Sequence, residues 1–171
     1  MPQRVHILVL DDDREEWDFI KEAAEELGIS NMFFYDNHLA LLAALDREPA
    51  VVLLDYQLKG ITGKEVMEKV KELCTHCFFI ITTGHPDLAV VIDLLNAHAD
   101  HFLTKEPNRN YYDKLMTAII EGRRVVSERI ELAEEKRRAT ENMIKTAEYI
   151  QKRFIDLENR DDDRSGNSGH Y

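Results

Sequence analysis

The chain has 171 residues, of which 44% are hydrophobic and 32% are charged, and its formal net charge is −11. This length has room for one domain of ordinary size plus an appendage. Residues 1–120 hold 11 basic and 21 acidic residues, which argues against nucleic-acid binding because phosphate contacts need a basic face. No segment has the ~20 consecutive apolar residues of a membrane span, and no secretory signal is present. We expect a cytoplasmic protein that binds neither nucleic acid nor membrane.

Five apolar runs typical of buried strands alternate with segments typical of helices. The predicted strands are residues 4–10, 31–35, 50–54, 77–82 and 101–104. Near-continuous apolar strands separated by helices indicate a parallel sheet covered on both faces, with right-handed crossovers. The predicted fold class is therefore α/β, a doubly wound five-stranded parallel sheet in which a βα unit repeats five times, followed by a long C-terminal helix.

The first four helices carry start signals and apolar faces. Asp13 with Glu16 resembles a capping box, Thr62 with Glu65 is another, and Pro86 suits the first turn of the fourth helix. The predicted inward positions are Trp17, Ile20, Ala24 and Leu27, then Leu41, Leu42 and Leu45, then Val66, Val70 and Leu73, and finally Leu88, Val91, Ile92 and Leu95.

The last helix is too long for a small domain. No proline occurs between residues 108 and 159, and such a helix would be roughly 75 Å long. Steps of three and four residues join Val126, Met143, Ala147, Ile150, Phe154 and Leu157, with Arg129, Lys136 and Thr140 in the same register. We predict a globular domain over 1–121, an extended helix and candidate coiled coil over 122–160, and a disordered tail over 161–171. A solitary, partly frayed helix is the alternative.

Polar residues follow four of the predicted strands. Asp11 and Asp12 end the first, and Asp55 ends the third. Thr83 ends the fourth, and Lys105 ends the fifth. Open parallel sheets build their sites at the carboxyl ends of their strands, so we expect these side chains to meet. Asp55 is the candidate for covalent chemistry.

These motifs, in this order, resemble the receiver domain of bacterial and archaeal response regulators over residues 4–120. The matching segments are Leu8-Val9-Leu10-Asp11-Asp12, Leu53-Leu54-Asp55, Thr83-Gly84 and Phe102-Leu103-Thr104-Lys105. The resemblance implies a flavodoxin-like fold and phosphorelay signal transduction in a two-component system. A histidine kinase or phosphotransfer protein would pass a phosphoryl group to Asp55 with the aid of Mg²⁺. Such a phosphoprotein would catalyse only its own phosphorylation and dephosphorylation.

Under this hypothesis each site residue has a role. Asp12 and Asp55 would bind Mg²⁺ directly, with the backbone carbonyl of Gln57, and Asp11 would act through a water. Lys105 would pair with a phosphoryl oxygen, and the Thr83 hydroxyl would bind another.

Three further roles concern switching, phosphate lifetime and output. In the family, the aromatic residue here represented by Phe102 rotates when the threonine is drawn inward on phosphorylation. Gln57 and His85 would flank the path of the hydrolytic water and set the phosphate lifetime. The output would be contact with an unknown downstream protein, or a homodimer formed through the C-terminal helix.

The chain departs from the family at three positions. Where the family usually has Lys-Pro, this chain has Lys105-Glu106-Pro107. Lys59 stands where a proline is usual four residues after the acceptor, and His98 stands where a glycine is usual late in the fourth helix. These changes bear on switching rather than on phosphorylation.

Cys74 and Cys77 have no second ligand pair at zinc spacing, so we expect reduced cysteines at a helix-to-strand junction.

Two alternatives remain. A phosphatase of the haloacid dehalogenase type also uses an aspartate nucleophile and Mg²⁺, but it needs Asp-x-Asp-x-Thr where this chain has Asp11-Asp12-Asp13-Arg14-Glu15. The other is a receiver-fold scaffold or dimerisation module that acts without phosphorylation.

Overall fold

In a computed structural model, the described residues are 5–45 and 48–165, with side chains described as far as residue 160. The elements are β1 (His6–Leu10), α1 (Arg14–Glu26), β2 (Met32–Tyr35), α2 (His38–Ala44), β3 (Ala50–Asp55), β4 (Gln57–Leu58), β5 (Ile61–Thr62), α3 (Gly63–Leu73), β6 (Phe78–Thr83), α4 (Leu88–Asn96), β7 (His101–Thr104) and α5 (Arg109–Ser165). A parallel five-stranded sheet has the order β2-β1-β3-β6-β7. The predicted fold class is confirmed.

The sheet separates two apolar layers. On one face, α1 and α5 pack through residues such as Ile20 and Leu115. On the other face, α2, α3 and α4 pack through Leu41, Met67 and Leu94. Because β1, β3, β6 and β7 are parallel neighbours, their carboxyl ends lie at one edge of the sheet, which becomes the edge of the site.

Two helix starts follow the sequence signals. The Asp13 side chain accepts the Glu15 backbone N–H at 3.0 Å and begins α1. Thr62 and Glu65 form the predicted capping box of α3. Pro86, by contrast, lies outside α4, whose N-cap is Asp87.

Several predicted inward faces are wrong in part. Leu27 and Leu73 are exposed, and Trp17 is only half-buried. The error is largest in α4, where Leu88, Ile92 and Leu95 are exposed while Val90 and Leu94 pack inward. The segment Leu-Ala-Val-Val-Ile-Asp-Leu-Leu-Asn is apolar on nearly every side, so its periodicity does not select one face.

Helix α5 is bound to the sheet well beyond Gly122. A methyl group at Gly122 would lie 2.6 Å from a ring carbon of Phe78, so the helix backbone approaches the sheet closely there. Val126 is fully buried. Arg129 donates to the Cys77 carbonyl at 2.6 Å and to Asp100 Oδ1 at 2.7 Å. Val126 and Arg129 are therefore not coiled-coil positions as predicted, because the domain itself covers them.

The chain divides into two compact units, residues 1–130 and 131–171. The first unit ends nine residues after the predicted boundary at 121, because Val126 and Arg129 belong to it. Helix α5 continues to Ser165, into the segment predicted to be disordered, and residues 166–171 lie outside the described residues. Within the described ranges, no helix is both long enough and apolar enough to cross a membrane.

Asn31 and His98 adopt left-handed backbone conformations, with φ of 64° and 57°. Cys74 and Cys77 are free and buried, as predicted for reduced cysteines between α3 and β6.

Candidate functional site

The predicted polar residues meet at the carboxyl edge of the sheet. Asp11 follows β1, Asp55 ends β3, and both are buried although they carry carboxyl groups. Thr83 ends β6 and is fully buried. Lys105 follows β7, and its backbone N–H donates to the Thr83 carbonyl at 2.8 Å. Parallel pairing of the strands thus brings together residues that lie far apart along the chain.

Three carboxylates could hold a metal ion. One oxygen from each of Asp11, Asp12 and Asp55 lies within 4.8 Å of the others. Carboxylate oxygens are the ligands that Mg²⁺ prefers, and it usually keeps several waters in an octahedral shell. The donor set therefore fits Mg²⁺, with Asp12 more exposed than its two neighbours.

The charge of Asp55 is poorly compensated. Burial raises the pKa of Asp55 to about 6, and the charges of Asp11 and Asp12 push in the same direction. Lys105 and a hydrogen bond from the Gln57 backbone N–H oppose this rise. A cation at the carboxylates would remove the repulsion, since an opposite charge favours the ionised form.

The Lys105 side chain lies close to two of the carboxylates. Its ammonium lies 2.6 Å from Asp11 Oδ2 and 3.6 Å from Asp55 Oδ2. Burial alone would lower the pKa of Lys105, but the hydrogen bond to Asp11 and the nearby carboxylates hold it above its usual value. The lysine is thus a fixed positive charge beside the candidate acceptor.

Backbone and indole groups orient the two buried carboxyl residues. The Asp13 N–H donates to Asp11 Oδ1 at 2.9 Å, and Trp17 Nε1 donates to the Asp11 carbonyl at 2.9 Å. The Gln57 N–H donates to Asp55 Oδ1 at 3.3 Å. Asp13 is occupied as the cap of α1, as the sequence predicted.

The other predicted residues lie around this centre. The Thr83 hydroxyl oxygen accepts the His85 backbone N–H at 3.3 Å. The Gln57 side chain is exposed at the start of β4, and the His85 side chain is exposed on the loop that follows β6. Phe102 is half-buried and lines a cavity of ≈ 250 Å³ with Tyr111 among its walls.

Three residues near the site were not predicted to contribute to it. Glu16 was expected to cap α1, but its Oε2 accepts a hydrogen bond from the Tyr112 hydroxyl at 3.1 Å. Burial raises the pKa of Glu16, and the Lys105 charge opposes that rise. At Gly63, a Cβ would lie 2.5 Å from the Asp55 carbonyl oxygen. Of these three residues, only Gly63 could have been singled out from the sequence, because a glycine inside a helix lowers its stability and usually has a packing reason.

Comparison with known proteins identifies the family. The family described as the response regulator receiver domain matches residues 7–119, more than half of the chain. The chain belongs to the response regulator receiver family. The transcriptional regulatory protein FixJ of Azorhizobium caulinodans is 27% identical to the receiver chain over 109 residues, covering 61% of this chain and 50% of FixJ.

A second relative is the phosphate regulon transcriptional regulatory protein PhoB of Pseudomonas aeruginosa, 30% identical over 101 residues. That match covers 58% of this receiver chain and 44% of PhoB. The chain therefore spans about half the length of these relatives.

Solved structures agree on the receiver fold. A CheY-like receiver domain protein from Methanospirillum hungatei JF-1 is 27% identical with a TM-score of 0.58, covering 71% of this chain and 98% of that one. The response regulator StyR has a TM-score of 0.69 at 22% identity, covering 80% of this chain and 67% of StyR, which shows the fold alone.

Proposed function

We propose that this receiver is a phosphorelay response regulator that accepts a phosphoryl group on Asp55 from a histidine kinase or phosphotransfer protein. The observation that carries the proposal is the meeting of three carboxylates with Lys105 at the ends of β1, β3 and β7. A carboxylate that attacks phosphorus approaches a group that is already negative, so positive charge must be supplied. Membership of the receiver family supports the same chemistry.

In this proposal the residues act by position and charge. Asp12 and Asp55 would hold Mg²⁺ together with the backbone carbonyl of Gln57, and Asp11 would act through a bound water. Bound there, the ion would supply positive charge beside the transferring group. Asp55 forms a bond to phosphorus while the donor nitrogen leaves, and Lys105 binds a phosphoryl oxygen. The protein catalyses only its own phosphorylation and dephosphorylation.

Signal output in this proposal begins at Thr83. Its hydroxyl, which now accepts the His85 N–H, turns to a phosphoryl oxygen, and Phe102 moves into the cavity that it lines. The surface changed by this movement contacts a downstream protein.

We also propose that residues 131–160 form a homodimer. Large apolar side chains are exposed to solvent along this part of α5. A partner helix would cover them, and such packing supplies most of the stability of a helix. The exposed residues are Leu132, Met143, Ile144, Tyr149, Ile150, Phe154, Ile155 and Leu157.

Acetyl phosphate with Mg²⁺, followed by intact mass measurement, tests the phosphorylation proposal. We expect one phosphate on the wild type, none on Asp55→Asn, and none on the wild type in EDTA. Asp93→Asn, which removes a half-buried carboxylate that pairs with Lys64 and not with a site residue, is the control and should be labelled like the wild type.

Other outcomes select the alternatives. Absence of any adduct on the wild type favours a receiver-fold scaffold or dimerisation module. Turnover of added phosphate esters favours a phosphatase of the haloacid dehalogenase type. A phosphate that persists in Asp55→Ala contradicts the assignment of the acceptor.

A further inference from the structure

Glu16 is a fourth carboxylate beside the site, and one of its oxygens is unsatisfied. Among the described residues, Oε1 is buried without any hydrogen-bond partner. Oε2 accepts the Tyr112 hydroxyl at 3.1 Å, which ties α1 to the first turn of α5. A buried carboxylate oxygen without a donor is costly, so a structure that keeps one calls for an explanation.

The Lys105 ammonium needs hydrogen-bond acceptors, as Glu16 Oε1 needs a donor. Lys105 is half-buried, and its ammonium lies 2.6 Å from Asp11 and 3.6 Å from Asp55. Both carboxylates belong to the cluster proposed to hold Mg²⁺. If Asp11 turned an oxygen to a water of the bound cation, Lys105 would lose its shortest contact while its side chain stayed half-buried. An ammonium has three donors, and a phosphoryl oxygen alone would not satisfy them.

We infer that Glu16 is a positioning residue for Lys105: its free Oε1 accepts the Lys105 ammonium once Asp11 turns to a water of the bound cation, while Tyr112 fixes the carboxylate from the other side. Lys105 then stays directed at the acceptor instead of turning to solvent. The inference rests on the proposed function, because it assigns Glu16 a part in phosphoryl transfer to Asp55.

Two observations separate this role from the obvious alternatives. Glu16 is not among the carboxylates of the described residues whose oxygens lie within 4.8 Å of one another, so it is not a ligand of the same ion. Nor does it cap α1, because Oε2 is bound by Tyr112 and Oε1 is unpartnered. The Lys105 charge is the leading influence that stabilises its ionised form.

The first test separates metal binding from transfer. Trp17 is the only tryptophan and donates to the Asp11 carbonyl, so its fluorescence can follow Mg²⁺ binding. In Glu16→Gln we expect the Mg²⁺ dissociation constant to change less than about threefold, since an outer charge is screened. The labelling rate by acetyl phosphate at saturating Mg²⁺ should fall about tenfold, because Lys105 is misplaced.

Matched variants make the result specific. Tyr112→Phe removes only the hydroxyl that fixes the Glu16 carboxylate, and it should reproduce part of the loss in rate. Glu15→Gln removes an exposed neighbouring carboxylate of α1 and should label like the wild type. A Mg²⁺ affinity that falls as much as the rate, or a rate unchanged in Glu16→Gln, overturns the inference.

A second readout needs no phosphorylation. The nitrogen-15 signal of the Lys105 ammonium reports whether its protons are held by an acceptor or exchange with water. On addition of Mg²⁺ we expect the signal to persist in the wild type and to broaden in Glu16→Gln. Equal behaviour of both proteins contradicts the role of Glu16. Failure of the wild type to become labelled would overturn the proposed function, and the ammonium signal would still decide the inference.

Discussion

At the scale of single residues, burial opposes the ionisation of the Asp55 carboxyl group. Its pKa is raised from 3.8 to about 6, chiefly by burial. Folding therefore favours the protonated carboxyl group. The resulting stabilisation is complete below the unfolded pKa of 3.8 and is lost as the pH rises through about 6.

Asp55→Asn should stabilise the metal-free protein at high pH, because the amide carries no buried charge. In EDTA at pH 8 we expect the free energy of unfolding to rise by about 2–3 kcal/mol, with the gain vanishing near pH 4. Urea denaturation at several pH values measures it. Asp18→Asn changes an exposed carboxylate and serves as the control. A gain independent of pH would mean that the charge is not its cause.

Replacement of Gln57 or His85 by alanine should change the dephosphorylation rate severalfold. Both side chains are exposed just beyond the carboxyl ends of β3 and β6, where a hydrolytic water would approach the phosphoryl group. Loss of phosphate from labelled protein, followed by intact mass, gives the rate, and Trp17 fluorescence checks that Mg²⁺ affinity is retained. Unchanged decay in both variants would remove these residues from the mechanism.

The sequence predicted that the polar residues at the strand ends would meet, because each ends or follows a predicted strand and strand ends in a parallel sheet converge. It did not predict the role of Glu16. An acidic residue three positions after Asp13 matches a capping box as well as Glu65 does after Thr62. Only the position of Tyr112, ninety-six residues away, decides between the two contacts.

At the scale of elements, the turn after α4 contains strain that a glycine would relieve. His98 has a φ of 57°, a conformation that brings Cβ of an L-residue close to the next carbonyl. The turn is nevertheless held, since Lys71 Nζ donates to the carbonyls of Ala97 at 2.7 Å and His98 at 3.2 Å.

His98→Gly should raise the free energy of unfolding by about 1 kcal/mol, because the strained residue loses its Cβ while the backbone contacts of Lys71 remain. Asn31→Gly is the matched control. Asn31 has a similar φ of 64°, but asparagine tolerates this region, so the gain should be smaller. Chemical denaturation measures both. A larger gain for Asn31→Gly would contradict the explanation.

Periodicity also fails where an element offers more than one apolar face. Helix α4 was given the wrong inward face because its polar residues, Asp93 and Asn96, are too few to mark the exposed side. In α5, Arg129 fits the coiled-coil register equally well in the sequence. Its contact with Asp100 depends on the folded sheet, which no local pattern contains.

At the scale of the whole molecule, the compact unit that ends at Ile130 should fold and be phosphorylated without the rest of α5. We expect a chain of residues 1–130 to be labelled on Asp55 and to be monomeric. The full chain should be dimeric at the same concentration, and Phe154→Glu in the full chain should restore the monomer. Sedimentation and intact mass measure both properties.

Two comparisons complete this prediction. A chain ending at residue 121 should be about 3 kcal/mol less stable than one ending at Ile130, because it loses the burial of Val126 and the hydrogen bonds of Arg129. Equal oligomeric mass for the 1–130 and full-length chains would exclude dimerisation through residues 131–160.

The close approach of Gly63 to Asp55 limits which residue can begin α3. The Gly63 N–H donates to the Tyr56 carbonyl at 2.9 Å, and its Cα side faces the Asp55 carbonyl so closely that a Cβ would be 2.5 Å away. A side chain at position 63 would therefore displace either the start of α3 or the Asp55 backbone. Glycine at this position is thus a condition for the present placement of the proposed acceptor.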